Sequence, residues 1–277
     1  MVVLSLFDGL SCGQIALERA GIKVDKYYAS EIEPNAIKVT QHNFPNTIQV
    51  GDVTKLHASD LPKIDLLIGG SPCQSISGLG DKTGLEGKSS LFYEYLRLKK
   101  EINPRWFLLE NVRGSKKAIN EISKLLGTQP VPINSNVFSA QNRARLYWTN
   151  IPIDLICDKD ISLKDILEPG IPDQSILSTG RLKWLTSEKG KRTVSKRYAS
   201  IDPVKAQCLT VRGEQGWNSN YVTRNGQLTR LTVREYERLQ TIPEGYTDCI
   251  NPTQAYRAIG NGWTVDVIAH IFKGLKQ

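Results

Sequence analysis

Short apolar runs alternate with helical patterns through the first half of the chain. The apolar runs lie at residues 2–7, 26–32, 47–53, 66–70 and 106–109, and the helical patterns at residues 13–20, 34–43, 90–101 and 115–126. Strands buried on both faces read as continuous apolar segments, because helices cover each side of their sheet. The alternation therefore predicts an α/β fold with a doubly wound, mostly parallel sheet.

The second half of the chain is less regular. Apolar runs at residues 131–138 and 146–151 predict a hairpin at the far side of the sheet. Residues 152–229 show no helical or strand period, which predicts a small, irregular lobe. Pattern returns at Thr232, which forms a capping box with Glu235, and a last helix is expected over residues 264–275. We expect one domain formed by residues 1–151 and 230–277, interrupted by a lobe at 152–229.

The composition is that of a globular enzyme, with 40% hydrophobic and 23% charged residues among 277. No apolar run approaches the roughly 20 residues that span a bilayer, and Asp8 interrupts the first run too early for a secretion signal. We therefore expect an intracellular, cytoplasmic protein with no membrane partner. Five scattered cysteines without a Cys-x-x-Cys pair, and only three histidines, argue against a disulfide framework and against a metal site.

The charge of the chain suggests a polyanionic partner. The formal net charge is +8, and neutralising phosphates gives affinity for nucleic acid that is independent of sequence. Residues 183–192 and Lys196-Arg197-Tyr198 mix cations with aromatic side chains, as nucleic-acid-binding surfaces do. A solvated loop would explain the same residues equally well.

Several polar or reactive side chains follow predicted strands, where α/β enzymes keep their reactive groups. Cys73 stands in Gly69-Gly70-Ser71-Pro72-Cys73-Gln74, just after the run at 66–70. Taken alone, a single cysteine is more often a small buried hydrophobe than a nucleophile. Glu31 ends the second strand, where a carboxylate could accept both hydroxyls of a ribose, and Asp52 ends the third, where it could accept from an adenine amino group.

The turn after the first strand narrows the choice of ligand. It reads Phe7-Asp8-Gly9-Leu10-Ser11-Cys12-Gly13 and leads into a helix, so its backbone can approach a ligand closely. It lacks the spacing of a dinucleotide fingerprint, which disfavours a pyrophosphate. With Glu31 and Asp52, it predicts a pocket for a nucleoside without phosphates.

Two further segments carry charged candidates. Glu110 follows the strand at 106–109, next to the strand that carries Cys73, and could donate toward a ring nitrogen or simply start a helix. Arg143 and Arg145 stand two residues apart, and on an extended segment that spacing directs both to one face. They could orient a carboxylate, a phosphate or the carbonyl of a base, or form an ordinary surface pair.

Taken together, these motifs resemble those of the DNA (cytosine-5) methyltransferase family. They span nearly the whole chain in the order of that family: Phe7-Asp8-Gly9, Glu31, Asp52, Ser71-Pro72-Cys73-Gln74, Glu110-Asn111-Val112, Gln141-Asn142-Arg143-Ala144-Arg145, Arg230-Leu231-Thr232 with Glu235 and Arg238-Leu239-Gln240, and Gly260-Asn261-Gly262. The resemblance implies a methyltransferase with a Rossmann-like fold and with S-adenosylmethionine as its cofactor. It also implies a target-recognition lobe at 152–229 and double-stranded DNA as substrate. We also expect a monomer.

The resemblance also implies the role of each residue. Cys73 would attack C6 of a flipped cytosine, Glu110 would hold or protonate N3, Arg145 would bind the O2 carbonyl, and Arg143 would support the loop. The glycine-rich segment 75–89 would close over the site, and residues 212–216 would enter the DNA. The implied cofactor-binding residues are Phe7, Asp8, Gly9, Leu10, Glu31, Ile32, Asp52, Val53, Pro72, Leu91, Asn261 and Trp263.

Two departures from the common pattern resemble the de novo branch of the family. Ser11 stands where much of the family has a second glycine, and Trp263 stands where many members have a small residue. The alternatives are a tRNA cytosine-5 methyltransferase, whose Cys-Phe-Thr signature is missing from this sequence, and a catalytically silent DNA-binding regulator. The intact Cys73, Glu110 and Arg145 argue against the regulator. The target sequence stays open, as does the choice between a restriction-modification, phage or regulatory role.

Overall fold

The computed structural model describes residues 1–71, 91–196, 200–211 and 220–276, and for residues 193–196 the backbone alone. Pro72, Cys73, the predicted closing segment 75–89 and the segment 212–216 lie outside the described residues. The described strands are β1 (Val2–Leu6), β2 (Lys26–Ser30), β3 (Ile48–Gln49), β4 (Leu66–Gly69), β5 (Trp106–Val112), β6 (Val131–Asn134), β7 (Ala144–Thr149), β8 (Ser200–Ile201), β9 (Asn220–Arg224) and β10 (Gln227–Arg230).

The described α-helices follow the same chain order. They are α1 (Cys12–Ala20), α2 (Pro34–Asn43), α3 (Leu91–Ile102), α4 (Lys116–Leu126), α5 (Thr179–Thr186), α6 (Glu188–Lys196), α7 (Val233–Leu239), α8 (Pro252–Asn261) and α9 (Val265–Phe272). Within the described ranges, no helix is both long and apolar enough to cross a bilayer.

The chain divides into two compact units. The first contains Met1–Asn134, Ala144–Leu155 and Val267–Gln277, and the second contains Ser135–Arg143 and Ile156–Asp266. These units are defined by contacts between residues. The division by role, with recognition assigned to residues 152–229, remains a prediction.

The first unit is built on a seven-stranded sheet in the order β3-β2-β1-β4-β5-β7-β6. Strands β1 to β5 pair in parallel, and β7 runs antiparallel to both β5 and β6. All four residues of β4 are buried, as the continuous apolar run predicts for a strand covered on both faces. The predicted doubly wound, mostly parallel sheet and its edge hairpin are confirmed.

Two strand predictions in this sheet need correction. The strand expected over residues 47–53 is only the two residues of β3, because Asp52 caps a 3₁₀ turn over Val53–Lys55 with its side chain. The strand expected to end at Leu109 continues to Val112. Glu110 therefore lies inside β5, with its direction set by the pleat of the strand rather than by a loop.

The second unit has more regular structure than the sequence predicted. It contains the sheet β10-β9-β8 and the short helices α5 and α6. Strands β9 and β10 are joined by Asn225 and Gly226, whose φ values are 50° and 76°, and Arg224 pairs with Gln227. Two-residue hairpin turns of this kind favour the Asn-Gly dipeptide, so the signal for this hairpin was in the sequence. The capping box of Thr232 and Glu235 at α7 is confirmed.

Candidate active site

The parallel strands of the first unit bring several predicted site residues to one edge of the sheet. Because β1 to β5 share a direction, their carboxyl ends lie along the same edge. Along that edge stand the turn after β1, Glu31 after β2, Asp52 after β3, Ser71 after β4 and Glu110 near the end of β5. The described residues that the sequence placed at strand ends therefore lie along one edge of the sheet, as predicted.

Backbone hydrogen bonds anchor the carboxylate of Glu31. Its Oε2 accepts from the N–H of Gly9 at 2.7 Å, and its Oε1 accepts from the N–H groups of Ile32 at 2.8 Å and Glu33 at 2.9 Å. Ile32 is 71% exposed beside it. A fixed carboxylate next to an exposed apolar side chain has the chemistry to bind a ribose edge and the face of a purine.

The turn between β1 and α1 contains three left-handed residues. Phe7, Gly9 and Ser11 have φ values of 57°, 57° and 53°. Such a conformation is free of steric cost for glycine but not for the other two residues. At Gly13 the constraint is space, since a Cβ there would stand 2.4 Å from Cδ1 of Ile68. The first turn of α1 is therefore closely packed against β4.

Asp8 is the charged residue of this turn. Its carboxylate accepts from the hydroxyls of Ser11 and Tyr27, the latter at 2.8 Å. Burial raises the pKa of Asp8 from 3.8 to about 6, against the lowering effect of these hydrogen bonds, and the negative charge of Glu31 adds to the rise. The carboxyl therefore binds a proton at a higher pH than an ordinary aspartate does.

The raised pKa of Asp8 predicts that the stability of the folded protein depends on pH. Because the folded-state pKa of Asp8 lies above its unfolded value, the folded protein binds the proton more tightly. The contribution to stability is complete below about pH 4 and is lost as the pH rises through 6. Two pKa units correspond to about 3 kcal/mol.

Urea unfolding at a series of pH values checks this prediction. We expect the free energy of unfolding of the wild type to fall relative to that of Asp8→Asn between pH 4 and pH 7. Any fixed effect of the amide on the turn would shift the two curves by a constant amount. A difference between the curves that is the same at every pH would contradict the assignment.

The other predicted cofactor residues of this unit fall into two groups. Asp52 is half-buried, and its Oδ1 accepts from the N–H and the hydroxyl of Thr54, each at 2.9 Å. These bonds lower the pKa of Asp52. The remaining side chains pack in or against the apolar core, so that backbone rather than side chain is left to meet a ligand: Phe7, Leu10, Val53 and Leu91.

Asn111 holds the chain just before Cys73. Its Nδ2 lies 3.3 Å from the carbonyl oxygen and 3.1 Å from the hydroxyl of Ser71, and both residues are buried. Ser71 precedes Cys73 by two residues. Sequence reasoning assigned Asn111 no separate role, although an amide inside an otherwise apolar strand was the signal. The contact fixes the point from which the chain leaves β4.

Glu110 and Arg145 form an ion pair across two strands. Glu110 is opposite Tyr147 and Arg145 is opposite Val112, which makes the pair diagonal neighbours in the β5–β7 ladder. Nε of Arg145 lies 2.9 Å from Oε1 of Glu110, and both side chains are mostly buried. The sheet therefore presents a carboxylate and a guanidinium together. The resemblance implied that both contact one cytosine, but the sequence did not predict the ion pair between them.

Arg143 uses different partners. Its Nη1 donates to the carbonyl oxygen of Leu209 at 3.0 Å, and its Nη2 donates to that of Gly262 at 2.8 Å, all within the second unit. The side chain is buried. The spacing of Arg143 and Arg145 predicted a common face, with either a ligand or an ordinary surface pair as its explanation, whereas Arg143 precedes β7 and bonds to backbone carbonyls. It ties residue 209 to residue 262.

The last two predicted cofactor residues also belong to the second unit. Asn261 is exposed at the end of α8, and Trp263 is half-buried two residues later. Gly260, just before them, lies so close to Thr210 that a Cβ would stand 2.3 Å from its carbonyl oxygen. Gly260 and Arg143 thus pack this segment against residues 209 and 210.

Comparison with known proteins places this geometry in a family. The profile of the family described as C-5 cytosine-specific DNA methylase matches residues 1–129 and 178–277. The orphan methyltransferase M.SPRI of Bacillus phage SPR is 36% identical over 188 residues, which is 61% of this chain and 42% of that protein. The type II methyltransferase M1.ScrFI of Lactococcus lactis subsp. cremoris is 27% identical over 298 residues, which is 96% of this chain and 75% of that protein. The chain thus spans less than half of M.SPRI.

Solved structures agree at the level of the fold. The Entamoeba histolytica methyltransferase EhMeth superposes with a TM-score of 0.81 at 18% identity, over 100% of this chain and 99% of that one. The S. pombe Dnmt2 methyltransferase gives a TM-score of 0.75 at 20% identity, over 100% of both chains. With the family profile covering most of its length, the chain belongs to the C-5 cytosine-specific DNA methylase family.

Proposed function

We propose that the protein transfers a methyl group from S-adenosylmethionine to C5 of a cytosine in DNA. The observation that carries this proposal is the Glu110–Arg145 ion pair on the sheet edge next to Ser71, which leads to Cys73. Family membership supports the same reaction. The proposal covers the activity, the DNA substrate and the role of each residue.

Cytosine needs activation, because C5 is a poor nucleophile. We assign Cys73 to add to C6 as a thiolate, which moves electron density onto C5. Glu110 reaches N3 and gives it a proton, and the guanidinium of Arg145 binds the O2 carbonyl as charge develops there. Bound S-adenosylmethionine supplies an electrophilic methyl group. A base takes the C5 proton, the Cys73 sulfur is eliminated as a thiolate, and N3 returns its proton to Glu110, which restores the aromatic ring.

The residues at the ends of β1 to β3 fit such a cofactor. Glu31 would accept the ribose hydroxyls, Ile32 would lie against the adenine, and Asp52 would accept from the adenine amino group. The exposure of Ile32 beside a carboxylate held by backbone N–H groups supports this fit. We assign the backbone around Phe7, Asp8, Gly9, Leu10 and Val53, together with Pro72 and Leu91, to the same pocket. We also propose that Asn261 and Trp263 bind the cofactor.

The target base has to leave the duplex, since the thiolate approaches its face and Glu110 its edge. Flipping costs a few kcal/mol, which interactions between protein and DNA must offset.

Helices α5 and α6 carry a positive charge that can bind DNA phosphates. Residues 179–196 contain the cations Arg181, Lys183, Lys189, Lys191, Arg192 and Lys196 and a single acid, Glu188. We propose that this helical pair binds DNA phosphates.

Salt dependence tests the binding of phosphates. We expect Lys183→Gln, Lys189→Gln and Lys191→Gln together to reduce the slope of log affinity against log salt by about 0.9 for each phosphate that is no longer neutralised. The matched control is Lys23→Gln, Lys26→Gln and Lys63→Gln, three exposed lysines near the amino ends of β2 and β4 in the first unit. Fluorescence anisotropy of a labelled duplex measures both. Equal slopes for the two variants would contradict the proposed role of the helical pair.

The activity itself is tested in cells. The chain is expressed in a host that lacks cytosine-5 methylation, and its genomic DNA is sequenced after bisulfite treatment. We expect protected cytosines in one recurrent sequence context. Unmethylated DNA, with methyl transfer to tRNA in the same cells, would replace the proposed substrate by the tRNA alternative.

A further inference from the structure

We propose that Thr40, in α2, is a positioning residue for the cofactor-binding turn. Its hydroxyl holds Ser11 and Gly9 in the conformation that presents the Gly9 N–H to Glu31. The inference rests on the proposed function, because it assigns that turn and Glu31 to the cofactor. It adds a residue from outside every motif that the sequence analysis used.

The hydroxyl of Ser11 is the centre of this arrangement. It donates to the carboxylate of Asp8 and accepts from Nε2 of Gln14 at 3.2 Å and from Oγ1 of Thr40 at 3.2 Å. A hydroxyl has one donor and two acceptor positions, and all three are used. Ser11 is fully buried. Loss of any one partner therefore leaves a buried polar group with an unmet hydrogen bond.

These bonds offset an unfavourable backbone conformation. Ser11 has a φ of 53°, which disfavours every residue with a Cβ. Its N–H donates to the carbonyl oxygen of Asp8 at 3.1 Å, so the same residue closes the turn through its backbone. The left-handed conformation of Ser11 consequently depends on the partners of its side chain.

Thr40 reaches the turn at two points. Its single hydroxyl proton points to the hydroxyl oxygen of Ser11, 3.2 Å from Oγ1, and the carbonyl oxygen of Gly9 lies 3.4 Å from Oγ1 as a second, weaker acceptor of the same proton. The N–H of Gly9 in turn donates to Glu31. The hydroxyl of Thr40 thus contacts the carbonyl oxygen of Gly9, while Glu31 accepts from the N–H of Gly9. A shift of Gly9 would move the N–H that anchors the carboxylate.

The position of Thr40 favours this role over simple core packing. The buried residues of α2 are Ala36, Val39 and Thr40, and the first two are apolar. A valine would fill the place of Thr40 with nearly the same shape, so packing alone does not call for a buried hydroxyl, which costs free energy unless it is hydrogen-bonded. The hydroxyl is accounted for by the hydrogen bond that it donates to Ser11 in the turn.

The experiment compares Thr40→Val, Thr40→Ser and Ser11→Gly. We expect Thr40→Val to weaken the binding of S-adenosylhomocysteine about 5- to 30-fold by calorimetry. Thr40→Ser keeps the hydroxyl and should bind within about twofold of the wild type. In the Ser11→Gly background, Thr40→Val should have little further effect, because its main partner is gone. Equal weakening in both backgrounds, or wild-type binding by Thr40→Val, would overturn the inference.

A second measurement does not depend on the cofactor. Hydrogen exchange of the unliganded protein should show faster exchange at the amides of Gly9 and Ser11 in Thr40→Val than in the wild type or Thr40→Ser. If the wild type binds no S-adenosylhomocysteine but this difference is present, the proposed function fails and Thr40 still holds the turn. Unchanged exchange in Thr40→Val would refute the positioning role itself.

Discussion

A Cys73→Ser variant will lose methyl transfer to DNA by a factor on the order of 10⁴ or more, while it keeps its affinity for DNA and S-adenosylmethionine. A serine hydroxyl is far less ionised than a thiol near neutral pH, so it cannot add to C6 of cytosine. Without that addition C5 stays unreactive. The substitution exchanges one atom, so the surfaces that bind the two substrates are kept.

The control for this experiment is Cys157→Ser. Cys157 is an exposed free cysteine of the second unit, and its replacement should leave activity unchanged. Transfer of a labelled methyl group measures the rate, and a duplex with 5-fluorocytosine measures covalent capture. The wild type and Cys157→Ser should be trapped on that duplex and Cys73→Ser should not. Full methyl transfer by Cys73→Ser would rule out the covalent mechanism.

The second large effect is expected at the ion pair. Glu110→Gln should lower kcat by about 10²- to 10³-fold, with the Kd for S-adenosylmethionine nearly unchanged. Glutamine has the shape of glutamate but can neither give N3 a proton nor balance the charge of Arg145, whose Nε lies 2.9 Å from the carboxylate. Single-turnover kinetics with saturating DNA measure this loss without contributions from product release.

Two controls separate the possible origins of the loss. Arg234→Gln removes a guanidinium of the second unit, which forms an exposed ion pair with Asp248 at 3.0 Å, and should leave kcat within about twofold. Adding Glu110→Gln to Arg145→Gln tests whether Glu110 acts only by orienting Arg145. We expect a further drop in kcat, because Glu110 is proposed to touch N3 itself. An unchanged kcat would reduce Glu110 to a partner of Arg145.

The sequence predicted those features that depend on local pattern. The parallel strands of the first unit, the helix over Pro34–Asn43 and the capping box of Thr232 follow from apolar runs and helix-start signals. The sequence also predicted that Glu31 and Asp52 lie at the ends of strands. The β9–β10 hairpin could have been predicted as well, from the Asn-Gly dipeptide at Asn225.

Features that depend on register or on distant partners were beyond the sequence. The Glu110–Arg145 pair requires the alignment of β5 with β7, which no local pattern specifies. The extension of β5 to Val112 is caused by the same pairing. Arg143 and Arg145 differ in their partners because one precedes the strand and the other lies within it. Thr40 looked like an ordinary residue of α2, since its partner Ser11 is 29 residues away.

The anchoring of Glu31 has a consequence for the entropy of ligand capture. A free glutamate loses rotamer freedom when it first grips a ligand, and that loss weakens binding. Here three N–H groups immobilise the carboxylate during folding, well before any nucleoside arrives. The acceptor is thus rigid in advance, and the vicinal diol of the proposed nucleoside ligand would meet a carboxylate that is already in place.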